Sequence, residues 1–136
     1  MCKLLLIDDS QLDQLILEKL MGKYELFTDK EFSFDAESAI AQLEKNKSDH
    51  EKLPDVIFLD LSMPNFDGFD FLHRFNQLYP KIGKNIDIFV ITSSVDPKDK
   101  LRSIQYRFVK GVLIKPLNRV ILSNIYLQYK HSFLMN

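Results

Sequence analysis

Five short apolar runs alternate along the chain with longer stretches of helical spacing. The runs span residues 4–7, 32–34, 56–59, 86–91 and 112–114. The first, third and fourth are mostly continuous apolar, as strands covered on both faces should be. The second alternates, with Glu31, Ser33 and Asp35 flanking Phe32 and Phe34, which suits a strand at a sheet edge. Between the runs, Leu12, Leu15, Ile16 and Leu20 fit one helix face, with Asp9 or Ser10 as its cap. Ala36, Ala39, Ile40 and Leu43 fit a second, capped by Asp35, and Phe69, Leu72, Phe75 and Leu78 a third. Leu101, Ile104 and Phe108 form a weaker fourth, and Leu117, Val120, Ile121 and Ile125 a fifth with Asn118 near its start.

Strand then helix, five times over, predicts an α/β fold: a parallel sheet with helices on both faces. Right-handed crossovers leave few topologies. The edge-like second strand favours the flavodoxin-like, doubly wound order 2-1-3-4-5 with five helices. In such a sheet ligands bind beyond the carboxyl ends of the strands, where the order reverses. Asp8 and Asp9 follow strand one and Asp60 follows strand three, so the topology gathers three carboxylates at one edge.

Bare, that cluster is costly. Two unit charges ~4 Å apart repel by about 4 kcal/mol at an effective dielectric near ~20. Protonation, a metal ion or a lysine must offset it, and oxygen-only ligands suit a hard cation such as Mg²⁺. Taken alone, Asp8 and Asp9 are equally well explained as first-turn acids facing water and the helix dipole. Two further strand ends shift the balance. The stretch VITSS (90–94) puts hydroxyls at the end of strand four, and LIKPL (113–117) puts Lys115 at the end of strand five. Acids, hydroxyls and an amine on one rim suit phosphoryl transfer to a carboxylate, where catalysis is positioning and charge stabilisation. Asp60 stands alone on a central strand and is the better nucleophile, leaving the Asp8/Asp9 pair for the metal. The alternative for Asp60 and Lys115 is a structural ion pair at the sheet edge.

Composition narrows the class. At 136 residues the chain suits one domain, and 46% hydrophobic content gives it a core without staples. Lys+Arg total 18 against 19 Asp+Glu, with no basic run, so neither nucleic acid nor a membrane surface is an expected partner. Cys2 is the only cysteine, which excludes an internal disulfide and fits a reducing compartment. The apolar run at residues 4–7 is too short for a signal peptide or a membrane span, so the expected localisation is cytoplasmic. His50, His73 and His131 are scattered without metal-ligand spacing.

The pair Asp8-Asp9, the stretch FLDLSMPNFDG (58–68), VITSS and IKP (114–116) fall in order at predicted strand ends. With them the chain resembles the receiver domains of two-component response regulators over nearly its whole length, read as a single receiver domain over 1–136. The strand order 2-1-3-4-5 is also that of the family's chemotaxis member. The resemblance implies that Asp60 is the phosphoacceptor. Asp9 would bind Mg²⁺ directly, Asp8 mainly through water, and the backbone carbonyl of Ser62 would complete the protein ligands. Thr92 would hydrogen-bond the phosphoryl group. Lys115 would pair with a phosphoryl oxygen, or with Asp60 beforehand, and Lys115-Pro116 would be cis. Gly68 would permit a tight turn after Asp60.

The implied phosphodonor is a histidine kinase or a phosphotransfer protein, with an unidentified output protein met through the helix 4 to helix 5 surface, or a homodimer formed there. The broad apolar arc of the last helix, from Val120 to Tyr129, adds to that expectation. One position departs from the family. Three residues before Lys115, where many receivers carry an aromatic whose rotation reports phosphorylation, stands Val112. Tyr106 and Phe108 are the aromatic candidates to replace it. Ser62 and Ser94 occupy positions that tune phosphoryl lifetime in the family.

Three rivals are weaker. A Mg²⁺-dependent phosphohydrolase of the haloacid dehalogenase type needs a second acid two residues after the nucleophile, where Ser62 stands. A flavodoxin relative needs a Ser/Thr/Gly-rich phosphate loop where this chain has the anionic DDSQLD (8–13). A pseudo-receiver that takes no phosphate would have no need of the full set of site residues.

Overall fold

The computed structural model describes residues 2–135, with side chains described for 2–130. The side chain of His131 therefore lies outside the described residues. The elements follow the expected alternation: β1 (Lys3–Ile7), α1 (Gln11–Lys23), β2 (Asp29–Ser33), α2 (Ala36–Lys45), β3 (Val56–Asp60), α3 (Gly68–Leu78), β4 (Asp87–Thr92), α4 (Pro97–Ile104), β5 (Val109–Ile114) and α5 (Arg119–Met135). A 3₁₀ turn at Tyr79–Lys81 sits in the polar connection before β4. All four strand pairings are parallel and the order is β2-β1-β3-β4-β5, with β2 at an edge as its alternating pattern predicts. Among the described residues no helix is long and apolar enough to cross a membrane.

Because successive strand residues point to opposite faces, each central strand feeds two cores. Leu4, Leu6, Val56, Phe58, Phe89 and Ile91 join Leu17 and Met21 of α1 and Leu122 and Ile125 of α5 on one face. Ile7, Ile57, Leu59, Ile88 and Val90 join Ala39, Ile40 and Leu43 of α2 and Phe71, Leu72 and Phe75 of α3 on the other. Every residue of β3 is buried, and full burial of each apolar side chain contributes about 1.5–3 kcal/mol. The helix caps are local: Ser10 Oγ accepts the Asp13 N–H at 3.1 Å, Asp35 Oδ1 accepts the Glu37 N–H at 3.0 Å, and Asn118 Oδ1 accepts the Ile121 N–H at 3.0 Å. Of the two candidate caps for α1, Ser10 is the one used.

Two helix faces differ from expectation. In α1 the stripe turned inward is Gln14, Leu17 and Met21, while Leu12, Leu15 and Ile16 are exposed and Leu20 is half-buried. The helix carries two apolar stripes, and periodicity alone does not say which one meets the sheet. In α4, Leu101 and Ile104 are exposed and only Ser103 is buried; Phe108 lies beyond the helix, buried in the turn that enters β5. The α2 face is as expected. Phe69 of α3 is half-buried where Phe71 is fully buried, and in α5 Val120 is exposed while Leu122 and Ile125 face the core.

Strand ends shift as well. β2 covers Asp29–Ser33 and leaves Phe34 outside, half exposed. β5 starts at Val109, three residues early, because a bulge lets Ile88 pair with Val109 and Phe89 with Gly111.

Candidate functional site

The carboxyl ends of β1, β3, β4 and β5 deliver side chains to a common rim, two of them from β1. Asp8 leaves β1 in buried backbone whose N–H donates to the Ser33 carbonyl at 3.0 Å. Asp9 follows, exposed. Asp60 ends β3, only 3% exposed. Carboxylate oxygens of Asp8, Asp9 and Asp60 all lie within 4.8 Å of one another, a spacing that a single hard cation spans with oxygen ligands.

Lys115 reaches this cluster from beyond β5. Its Nζ lies 3.5 Å from Asp60 Oδ2 and 3.3 Å from Asp8 Oδ2. The Lys115-Pro116 peptide is cis. The Lys115 N–H donates to the Thr92 carbonyl at 2.8 Å, joining the ends of β4 and β5 behind the site. Thr92 is buried as the last residue of β4, one register step beyond Ile91, the partner of Asp60. Its Oγ1 accepts the Ser94 N–H at 3.0 Å, which leaves the hydroxyl proton free to donate. Ser62 is exposed, and its N–H donates to Asp60 Oδ1 at 3.2 Å. Asp8, Asp9, Asp60 and Lys115 thus come together at one edge, with the Ser62 amide on Asp60 and Thr92 at the neighbouring strand end.

The turn after Asp60 explains the glycine. A Cβ on Gly68 would stand 2.7 Å from the Asp60 carbonyl oxygen and 2.7 Å from Leu61 Cα. The need is close approach, since no glycine has positive φ; the left-handed residue of this turn is Asn65, at φ 63°, a conformation asparagine tolerates.

Burial pushes the Asp60 carboxyl up to about 6, and the neighbouring Asp8 charge adds to the rise; Lys115 and the Ser62 amide act the other way. Burial alone would lower the Lys115 ammonium. The hydrogen bond to Asp13, with the charges of Asp60 and Asp8, outweighs it and holds Lys115 above the ordinary lysine range.

Two residues of the site were not legible in the sequence. Asp13 Oδ2 lies 2.9 Å from Lys115 Nζ, nearer than the expected partner Asp60 and nearer than Asp8. Buried Gln14 donates from Nε2 to the carbonyls of Asp8 and Ser33, both at 2.8 Å, and so ties the ends of β1 and β2 to α1. Its place on the inward stripe with Leu17 and Met21 was the available signal. Val112 is half-buried on β5, paired with Val90. Tyr106 stacks on Phe108, which packs on Phe75 and Tyr79. Both precede β5 and stand at the opposite end of that strand from Lys115, so neither replaces an aromatic beside the site.

Comparison with known proteins places this geometry. A family model described as the response regulator receiver domain matches residues 4–126. The solved response regulator receiver protein from Dyadobacter fermentans is 31% identical with a TM-score of 0.76, over 92% of this chain and 94% of that one. The Mn(2+)-bound form of response regulator Rcp1 is 25% identical with a TM-score of 0.71, over 93% of this chain and 89% of that one. Among curated proteins, the sensor histidine kinase CheAY of Helicobacter pylori is 31% identical over 101 residues, 74% of this chain and 12% of that protein. The probable C4-dicarboxylate response regulator DctR of Halalkalibacterium halodurans is 27% identical over 135 residues, 96% of this chain and 52% of that protein. The chain thus spans about half or less of the length of these curated relatives.

Proposed function

The chain belongs to the response regulator receiver domain family, and from that premise we propose that it takes a phosphoryl group onto Asp60 and passes the change on through protein contacts. The donor is a histidine kinase or phosphotransfer protein. The observation that carries the reading is the position of Asp60: one buried carboxylate that shares the acid cluster with Asp8 and Asp9 and stands 3.5 Å from the Lys115 ammonium.

The donor set fits a hard divalent cation. Three carboxylates crowd together, and the repulsion among them is what a cation relieves. The carboxylates of Asp8, Asp9 and Asp60 and the backbone carbonyl of Ser62 would hold Mg²⁺. When bound, the ion supplies charge neutralisation for the carboxylates and for the phosphoryl oxygens. The chain does the rest. Asp60 attacks phosphorus, the P–N bond to the donor's histidine breaks, a P–O bond to an Asp60 Oδ forms, and the donor imidazole leaves with the electron pair. Lys115 and the Thr92 hydroxyl meet the charge on the equatorial oxygens. With Val112 in β5, this relay does not use an aromatic at that position. The whole chain is read as one receiver module acting in the cytoplasm, with the surface from α4 to α5 offered to an output protein or a second copy.

The test is direct. Incubated with Mg²⁺ and acetyl phosphate or phosphoramidate, the protein should gain the intact-mass increment of one phosphoryl group. The increment should vanish in Asp60→Asn and on chelation. Absence of any adduct in the wild type would leave an interaction module that takes no phosphate, and turnover of small phosphate esters would favour a phosphohydrolase.

A further inference from the structure

We infer that Asp13 is a positioning residue for the phosphoryl chemistry: its carboxylate draws the Lys115 ammonium away from Asp60 and so restrains phosphoryl uptake. The inference rests on Asp60 being the acceptor. Asp13 is the third residue of α1, after the cap Ser10. An acid there ordinarily accepts the N–H of the cap residue, completing a reciprocal capping box, and meets the helix dipole. The same molecule shows that arrangement in α3, where Asp70 Oδ2 accepts the Asp67 N–H and Asp67 Oδ1 accepts the Asp70 N–H, both at 2.9 Å. In α1 only half of it forms. Ser10 Oγ accepts the Asp13 N–H at 3.1 Å, but the Ser10 N–H goes to Asp8 Oδ1 at 2.9 Å.

The Asp13 carboxylate is thereby released from capping and turned to Lys115. At 2.9 Å it is the nearest of the three carboxylates around the amine; Asp8 follows at 3.3 Å and Asp60 at 3.5 Å, an ion-pair distance too long for a good hydrogen bond. A slot of about 110 Å³, lined by Asp8, Asp13, Ile16, Leu17, Lys115 and Pro116 among others, gives the side chain room on that side.

With acetyl phosphate, the bond from phosphorus to the acetate oxygen breaks, a bond to an Asp60 Oδ forms, and acetate leaves with the electron pair. Lys115 stabilises the charge on the equatorial oxygens only as the amine moves toward Asp60. Asp13 opposes that movement as a competing anion. It need not touch the phosphoryl group and acts through Lys115.

The experiment measures the phosphorylation rate by intact mass with acetyl phosphate and saturating Mg²⁺. Asp13→Asn should raise the rate about two- to fivefold, the range a partly exposed ion pair supports. The affinity for beryllofluoride, a phosphoryl mimic, should rise by a similar factor. The affinity for Mg²⁺ alone should change less, and Asp13→Glu, which keeps the anion, should return the rate toward wild type. An unchanged or slower rate in Asp13→Asn overturns the inference. So does a gain in Mg²⁺ affinity as large as the gain in rate, which would make Asp13 a general field on the cation. A wild-type protein that takes no phosphate removes the reading of Asp60 itself, whereas a phosphorylated wild type with an indifferent Asp13→Asn removes only this inference.

Discussion

Asp60 is a buried acid beside another acid, and its pH behaviour follows. Its carboxyl is raised to about 6 from an ordinary 3.8, chiefly by burial and then by Asp8. A raised carboxyl pKa means that the folded state favours the protonated form. That contribution to stability is full below 3.8 and is lost as pH rises through about 6. A shift of that size corresponds to about 3 kcal/mol at most, shared with the coupled Asp8 charge. In metal-free buffer at pH 7.5, Asp60→Asn should therefore be more stable than wild type by about 1–3 kcal/mol, and the gap should close near pH 4. Urea unfolding at the two pH values checks this; an Asn variant no more stable than wild type at pH 7.5 contradicts it. Gly68 is the other single atom count that matters. The 2.7 Å approach to the Asp60 carbonyl and Leu61 Cα leaves no room for a methyl group against backbone. Gly68→Ala should cost about 1–3 kcal/mol and slow phosphorylation, because the displaced backbone is that of Asp60 itself.

At the scale of the element, α1 separates what a sequence pattern can tell from what it cannot. α2 has one apolar stripe, Ala36, Ala39, Ile40 and Leu43, and all four are buried. α1 has two, and of the expected one, Leu12, Leu15, Ile16 and Leu20, the first three face outward and Leu20 is half-buried. The choice is made by Gln14, whose amide satisfies the carbonyls of Asp8 and Ser33; a polar residue inside an apolar stripe hid the face that the sheet uses. Strand ends were blurred for a related reason. The bulge opposite Ile88 lengthens β5 toward Val109, and a bulge leaves no mark on hydrophobic period. Three unfolding measurements follow. Gln14→Ala should cost about 1–3 kcal/mol, since two carbonyls lose a buried donor. Leu17→Ala should cost about 2–5 kcal/mol, while Leu15→Gln should stay within about 0.5 kcal/mol. A large loss at Leu15 would mean that the outward stripe is covered.

Across the whole molecule, the site was legible because topology does the assembling. Asp8 and Asp60 are 52 residues apart in sequence, yet a parallel order that reverses between β1 and β3 sets their strand ends side by side. Lys115 and Thr92 arrive the same way from β5 and β4. Asp13 was not legible because it comes from a helix face, and only the packing of α1 against the β5 end brings it to Lys115. The same assembly links folding to cation binding. Unfolding disperses the acids that the sheet gathers, so an ion held by them binds the folded chain alone. At a Mg²⁺ concentration about 100-fold above the dissociation constant the gain is about 2.7 kcal/mol, or roughly 5–10 °C in Tm for a chain of this size. Thermal unfolding at pH 7.5 should show that rise in the wild type. Asp9→Ala should lose most of it while leaving the metal-free Tm unchanged or slightly raised, because Asp9 is exposed and its loss takes one charge out of the acid cluster. A rise that survives Asp9→Ala would place the cation elsewhere on the molecule and would take the phosphoryl reading of Asp60 with it.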